Sequence, residues 1–366
     1  MKEQPLIGSA SALTQRIKKT ARAVGFDRVG ITRLENLAGG ERAILDWVRQ
    51  GRNGAMKYLA DFRERRRSFF DKFGDAKSII VLGVNYYQPS QKNPRPRSRP
   101  PLAGHIARYA RGLDYHEAIA RRHKILIERL SVFAGKDFHA ESCVDSRPLP
   151  ERYAAFQAGL GFVGKSTALL SPSFGPWLFL SEIVTNLELV PDSPDKGTCG
   201  SCSRCQKACP TGALDRDYQM DARLCIAYLT IEHKGTVPPG LREKIGDRLF
   251  GCDECLSVCP YANRSKPASW KEWGPSQGCG EWLDLKKLFG ISSNAQYEKM
   301  FSGTALLRID RKKMLRNACV VLANSGKRAA LPYLKKALSD PSPLVREQAR
   351  EVRLKTQDPG LKTQDL

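Results

Sequence analysis

No stretch of the 366-residue sequence approaches the roughly 18 uncharged apolar residues that a membrane span requires. The opening residues, MKEQPLIGSASALTQRIKKT, lack the apolar middle of a secretory leader. Both absences lead to the expectation of a soluble, cytoplasmic protein with no membrane partner and with its cysteines kept reduced. Histidine is scarce, with 5 in the chain, and none belongs to a cluster with metal-ligand spacing. Acid is also short. Asp and Glu total 38 against 60 Lys and Arg, a formal charge of +22. That field favours a polyanionic partner, most often nucleic acid. A generally basic protein with no such partner is the plainer reading of the same charge.

Cysteine is plentiful, and eight of the 11 residues form one constellation. Cys199, Cys202, Cys205 and Cys209-Pro210 read C-x2-C-x2-C-x3-C-P. Cys225 follows alone, and Cys252, Cys255 and Cys259-Pro260 read C-x2-C-x3-C-P. The first run has the bacterial ferredoxin spacing, in which three thiolates hold one 4Fe–4S cluster and the fourth reaches to another. The second run lacks its first cysteine, and Cys225 is the substitute. Eight thiolates are what two clusters require, so the chain reads as an electron conduit. Structural zinc is the bland alternative, since paired C-x2-C units suit a tetrahedral site. A third cysteine at x2, a fourth at x3 and the following proline oppose it.

The length allows two or three domains. Leu13, Ile17, Ala21 and Val24 are spaced for a helix ending at Gly25, and a second helix is expected near Glu41 to Arg49. Ser78 to Tyr87 and Trp177 to Thr185 read as strands, and a long amphipathic helix follows Tyr115 through Leu130. Gln88 to Pro101 is a proline- and arginine-rich loop. These features predict an α+β domain over 1–190, a cysteine domain over 191–275, a helical module over 276–355 and a disordered tail over 356–366. The module carries apolar stripes through Met314 to Leu322, Leu331 to Leu338 and Leu344 to Val352, and its Ser339-Asp340-Pro341 break resembles a HEAT repeat. Its basic faces suit nucleic acid, and a plain helical cap is the alternative. Gly159, Gly161 and Gly164 spell G-x-G-x-x-G, and 159–166 also satisfies G-x-x-x-x-G-K-S. Nucleotide chemistry needs a strand before those glycines, and Glu151 to Ala158 looks helical. The loop is better suited to meeting some other bulky cofactor.

Several ordered blocks resemble the epoxyqueuosine reductases over nearly the whole chain. They are YARGLDYH (109–116), VDSRPLPER (144–152), GLGFVGK (159–165), PTGA (210–213), CIAYLTIE (225–232) and Tyr261 after the last cysteine-proline pair. The resemblance implies a cobalamin-binding α+β domain, a ferredoxin-like domain with two 4Fe–4S clusters, and a C-terminal repeat that helps hold tRNA. It implies reduction of epoxyqueuosine to queuosine at the tRNA wobble position. It also implies a low-potential donor such as flavodoxin or ferredoxin, and the chain is expected to be monomeric. A reductive dehalogenase-like corrinoid enzyme acting on a small molecule and a zinc-stabilised RNA-binding protein without catalysis stand as alternatives.

By resemblance, Asp145 is the proton donor, with a helix N-cap near Pro148 as its plainer role. Burial is expected to raise its pKa so that it can donate near neutrality. The ferredoxin rule places Cys199, Cys202, Cys205 and Cys259 on one cluster and Cys209, Cys225, Cys252 and Cys255 on the other. Arg66, Ala107, Asp145, Ser166, Leu169, Leu180, Ala227 and Asp253 fall where the family touches the corrin. Ser166 replaces a usual Asn or His, and Ala227 a usual Ser, which puts a hydroxyl contact there in doubt. Arg152 and Lys234 are candidates for tRNA phosphates. Asp114-Tyr115-His116 begins the D-x-H-x-x-G signature of a cobalt-ligating histidine, but position 119 is Ile. His116 and His123 therefore read as satisfied surface or packing residues. Cys319 reads as core, Cys143 as pocket lining or packing, and Cys279 has no assigned role.

Overall fold

Two strands set the frame of the computed structural model, which describes residues 9–89, 99–274 and 276–352. The strand Ser78–Asn85 pairs antiparallel with Leu178–Thr185 along its whole length, from Ser78 opposite Thr185 to Asn85 opposite Leu178. Arg28–Thr32 joins one edge and Ala140–Cys143 the other. Every residue of Ser78–Asn85 is buried, as a central strand covered on both faces must be. Alternation divides its side chains. Ile80, Leu82 and Val84 pack with Ile17, Ala21, Ile119 and Leu126 of the helices Ala10–Val24 and Tyr115–Ser131. Ile79 and Val81 face the opposite layer with Leu149, Ala154, Ala155 and Val184, under the helix Glu151–Gln157. Each of the buried Ile, Leu and Val side chains among these contributes about 1.5–3 kcal/mol.

The helix Tyr115–Ser131 starts where the sequence requires. The Asp114 carboxylate accepts the His116 N–H at 2.9 Å, an N-cap bond. Further along, His123 is wholly buried between the Ser142 and Ser181 hydroxyls at 2.7 and 3.0 Å. It is a satisfied core histidine, as expected.

A second sheet joins all three stretches of the sequence. Ala103–Ile106 pairs parallel with Arg248–Phe250 and antiparallel with Trp282–Asp284. Beneath it, one apolar core runs through Leu102, Ile106, Ile226, Phe250, Leu285, Met314, Cys319 and Val345. The C-terminal helices Arg311–Asn324, Leu331–Ala337 and Pro343–Glu351 are part of that core. Arg316 is 0 % exposed and donates to the backbone carbonyls of Leu229, His233 and Gly235 at 2.6–2.9 Å. The helical end of the chain thus supports the segment that follows Cys225. The tail 356–366 and most of the proline- and arginine-rich loop lie outside the described residues.

Candidate active site and cluster ligands

Asp145 lies just past the edge strand Ala140–Cys143, with a φ of 50°, a left-handed conformation that aspartate tolerates better than most residues. Its backbone N–H donates to Glu151 Oε1 at 2.9 Å. Its carboxylate caps no helix, because the next helix begins at Glu151 behind Pro150. Instead Oδ2 accepts the Tyr115 hydroxyl and faces His116 Nε2 at 3.6 Å. The other ring nitrogen of His116 is held by Asp114 at 2.8 Å. Tyr115 is stacked on Phe179, with centroids 4.5 Å apart and planes 8° apart. The site is built on one helix N-terminus and one strand end, braced by an aromatic stack.

These contacts reverse the expected titration of Asp145. Burial does push its carboxyl up, but the His116 imidazolium 3.6 Å away and the Tyr115 hydrogen bond, with the charge of Arg308, bring it below its ordinary value. Burial likewise opposes charge on His116, yet the carboxylates of Asp114 and Asp145 outweigh it and hold its pKa up at about 9. Near neutral pH the pair is carboxylate and imidazolium. His116 is thus not an idle surface residue. Behind it lies acid that the sequence reading missed. Glu182 is fully buried on Leu178–Thr185, opposite Cys143 and Val81, and neither carboxyl oxygen has a hydrogen-bond partner. Burial pushes its pKa well above the ordinary value, and Glu151 and Asp145 push it further. Glu151 is raised to about 8, by burial and then by Asp145. A glutamate inside the apolar run WLFLSEIVT was the available signal.

The eight constellation cysteines separate into two groups. Burial raises Cys205 and Cys259, and in both the further push comes from Cys199 and Cys202. Burial raises Cys255 too, and there the neighbouring sulfurs are Cys225, Cys252 and Cys209. Cys252 is raised to about 12, by burial and by Cys225. Cys209 runs the other way. Burial raises it, but the Thr211 hydroxyl and the N–H groups of Thr211, Leu214 and Ala213 outweigh that. The short helices Arg204–Ala208 and Glu254–Ser257, which carry the middle cysteines, pack against each other. The glycine-rich loop meets the first group. A Cβ at Gly164 would stand 3.3 Å from Cys199 Sγ, and Lys165 N–H points at that sulfur from 3.4 Å. A helix, not a strand, precedes these glycines, so the phosphate-binding arrangement is absent.

The family model described as a 4Fe-4S double cluster binding domain matches residues 198–262, which include all eight cysteines. The model for epoxyqueuosine reductase QueG (DUF1730) matches residues 66–146, from Arg66 through Asp145. An epoxyqueuosine reductase of Xanthomonas campestris pv. campestris is 35% identical over 336 residues, 91% of this chain and 93% of the relative. The chain belongs to the epoxyqueuosine reductase family. Among solved structures, one of epoxyqueuosine reductase with a tRNA-Tyr epoxyqueuosine-modified stem loop matches with a TM-score of 0.82 and 31% identity, covering 92% of this chain and 88% of that one. A Bacillus subtilis epoxyqueuosine reductase, solved with its catalytic aspartate loop swung out of the active site, matches with a TM-score of 0.81 and 30% identity, over 92% and 88%.

The other positions carried over from the family spread across both sheets. Asp253 accepts the Arg108 N–H at 2.6 Å, and its charge reaches Tyr109 and Cys255. Tyr109 packs edge-on to Tyr115, with centroids 6.3 Å apart, and lies 6.2 Å from the Phe250 ring, two residues before Cys252. Ala107 is buried beside Asp253 and donates to Phe250 O at 2.9 Å. Ala227 turns its N–H to the Cys225 sulfur, a backbone role that needs no side-chain hydroxyl. Ser166 and Leu169 are buried in the hairpin after the glycine loop, and Leu180 shares a strand face with Glu182. Arg66 bonds Glu41 at 3.0 Å and keeps a buried, unpartnered Nε. No described contact joins Arg66 to Asp145. Arg152 is exposed and its charge acts on both Glu151 and Cys225, whereas exposed Lys234 acts on Lys313. Arg308, paired with Glu232 at 2.9 Å and acting on Asp145, was not foreseen.

Proposed function

We propose that the chain reduces epoxyqueuosine to queuosine at the wobble position of tRNA, with the epoxide oxygen leaving as water. The observation that carries this reading is Asp145, whose Oδ2 accepts the Tyr115 hydroxyl with His116 Nε2 3.6 Å away, in a chain whose residues 198–262 match the double-cluster ferredoxin domain. A proton source and ligands for an electron route are what a two-electron, two-proton deoxygenation requires.

The residues fit the implied cofactors. Cys199, Cys202, Cys205 and Cys259 would hold one 4Fe–4S cluster, and Cys209, Cys225, Cys252 and Cys255 the other. Backbone N–H groups directed at Cys209, Cys225 and Cys259 would stabilise the added negative charge. The unpartnered Nε of Arg66 and the carboxyl of Asp253 are the polar groups suited to a corrin's amides. When bound, cobalamin supplies a low-potential, strongly nucleophilic cobalt. Arg66, Ala107, Ser166, Leu169, Leu180, Ala227 and Asp253 would hold it.

The chain's own part of the reaction is proton delivery. One of the two protons resides on His116 and reaches the opened oxygen through Asp145, which needs no raised pKa because its partner keeps the proton near neutrality, and the second is taken from solvent. Tyr115 fixes the carboxylate's orientation. Arg152 and Lys234 lie on the exposed side and would meet phosphates of the RNA. The same reading takes residues 1–190 as the corrin domain, 191–275 as the electron domain and 276–355 as a HEAT-like support, in a cytoplasmic monomer served by a small redox protein. The test is anaerobic incubation of the loaded protein with reductant and an epoxyqueuosine stem loop. Loss of one oxygen from the base is expected, and an unchanged base would defeat the reading.

A further inference from the structure

Tyr58 has more fixed scaffolding than a surface tyrosine needs. It is 41% exposed, and Tyr58 and Tyr218 are the exposed large aromatics among the described residues. The backbone before it is pinned from several sides. Arg52 makes a two-bond pair with Asp215 at 2.8 and 2.9 Å, Trp47 Nε1 donates to Met220 O at 2.6 Å, and Ala55 N–H donates to the Tyr228 hydroxyl at 2.8 Å. Gly54, with a φ of 56°, lies so close to the Tyr228 ring that an added Cβ would stand 2.5 Å from its hydroxyl. These bonds tie the Tyr58 loop to the segment around Cys225. One cation borders the ring directly, the Arg65 guanidinium, which sits 6.0 Å from its centroid and donates to Tyr58 O at 3.2 Å. Exposed Arg308 belongs to the same region, paired at 2.9 Å with Glu232 at the end of the helix Ile226–Ile231 that carries Tyr228. The charges of Glu232, Arg308, Asp145 and Arg65 bear on the Tyr58 hydroxyl besides burial.

A rigid, half-exposed aromatic beside a guanidinium group has the chemistry for an unstacked nucleobase. Its face is sequence-tolerant, and the nearby cations take the adjoining phosphates. A duplex offers no free base face there. From these contacts we infer that Tyr58 is a stacking platform for a nucleobase of the RNA loop next to the reacting nucleotide, with Arg65 and Arg308 on the neighbouring backbone. This deepens the proposed function and rests on its RNA substrate.

The test uses the full chain, with both clusters loaded, and two RNAs, a stem loop and the same stem closed as a plain duplex. Tyr58→Ala is expected to weaken stem-loop binding roughly tenfold, the scale of one lost base stack. Its salt slope and its weaker duplex binding are expected to stay as in the unmodified protein. Arg308→Gln is expected to flatten the salt slope instead, because it removes a phosphate contact. Iron content and melting temperature identify any Tyr58→Ala protein that has lost its fold, and Tyr58→Trp, which keeps a ring, is expected to restore affinity. Equal stem-loop affinity for Tyr58→Ala and the unmodified protein would overturn the platform while leaving the reductase reading intact. An unmodified protein that binds neither RNA would overturn both.

Discussion

His116 and Asp145 hold one proton between them. Imidazole Nε2 stands 3.6 Å from carboxylate Oδ2, and Asp114 anchors the far side of the ring at 2.8 Å. His116 is raised to about 9 and Asp145 is lowered, so the proton belongs to the imidazole across the neutral range. Activity is therefore expected to hold to about pH 9 and to fall above it. His116→Gln removes both the store and the contact that lowers Asp145, so its basic limb is expected to move several pH units toward acid. A pH–rate profile checks this. An unmoved limb in His116→Gln would place the proton elsewhere.

Glu182 is a buried acid with a raised pKa and unpartnered oxygens. Its folded form stays protonated above the pH at which the unfolded chain ionises, so the native state binds more protons there. Stability then falls as pH rises from the ordinary glutamate value, 4.5, toward the raised folded value. Glu182→Gln removes the titration and is expected to flatten that decline above the ordinary glutamate value. Thermal melts across the range check it, and identical slopes for both proteins would contradict a neutral Glu182.

About eight irons per chain are expected from anaerobic protein, four for each cysteine group. Cys225→Ser is expected to damage the cluster of Cys209, Cys252 and Cys255 while sparing the other. EPR of the reduced variant distinguishes the two. Both signals intact would remove Cys225 from the ligand set.

The basic C-terminal face is best tested by charge, since Arg316 and Met314 are core and a chain cut before Arg311 would lose its fold. Exposed Lys335, Lys336 and Arg350 allow a cleaner change. Reversing all three to Glu is expected to weaken tRNA binding and to flatten its salt dependence by almost one unit of slope for each lost phosphate contact. An unchanged slope would make these helices a structural support only.

The cysteine constellation was legible because ligand spacing is local, and the two central strands because they are rich in β-branched and aromatic residues. The edge strands were not. Arg28–Thr32 and Ala140–Cys143 are short and weakly patterned, and they become strands through the neighbours they pair with. The sheet of Ala103–Ile106, Arg248–Phe250 and Trp282–Asp284 draws on distant segments, which no local pattern reveals. Asp145 was found by resemblance, but its titration was misread because Tyr115 and His116 approach it from 30 and 29 positions away in the chain. Burial alone gives the wrong sign when three favourable contacts oppose it.

The central claim is that Asp145 delivers the proton that lets the epoxide oxygen leave. Asp145→Asn keeps the shape and the Tyr115 contact but removes the carboxylate that relays the His116 proton. The decisive measurement is the single-turnover rate of oxygen loss from an epoxyqueuosine stem loop, read by mass spectrometry, with iron and cobalamin content matched between variant and unmodified protein. The account predicts a rate lower by roughly 10²–10⁴ with RNA affinity unchanged. An Asp145→Asn protein that removes the oxygen at the unmodified rate would contradict it.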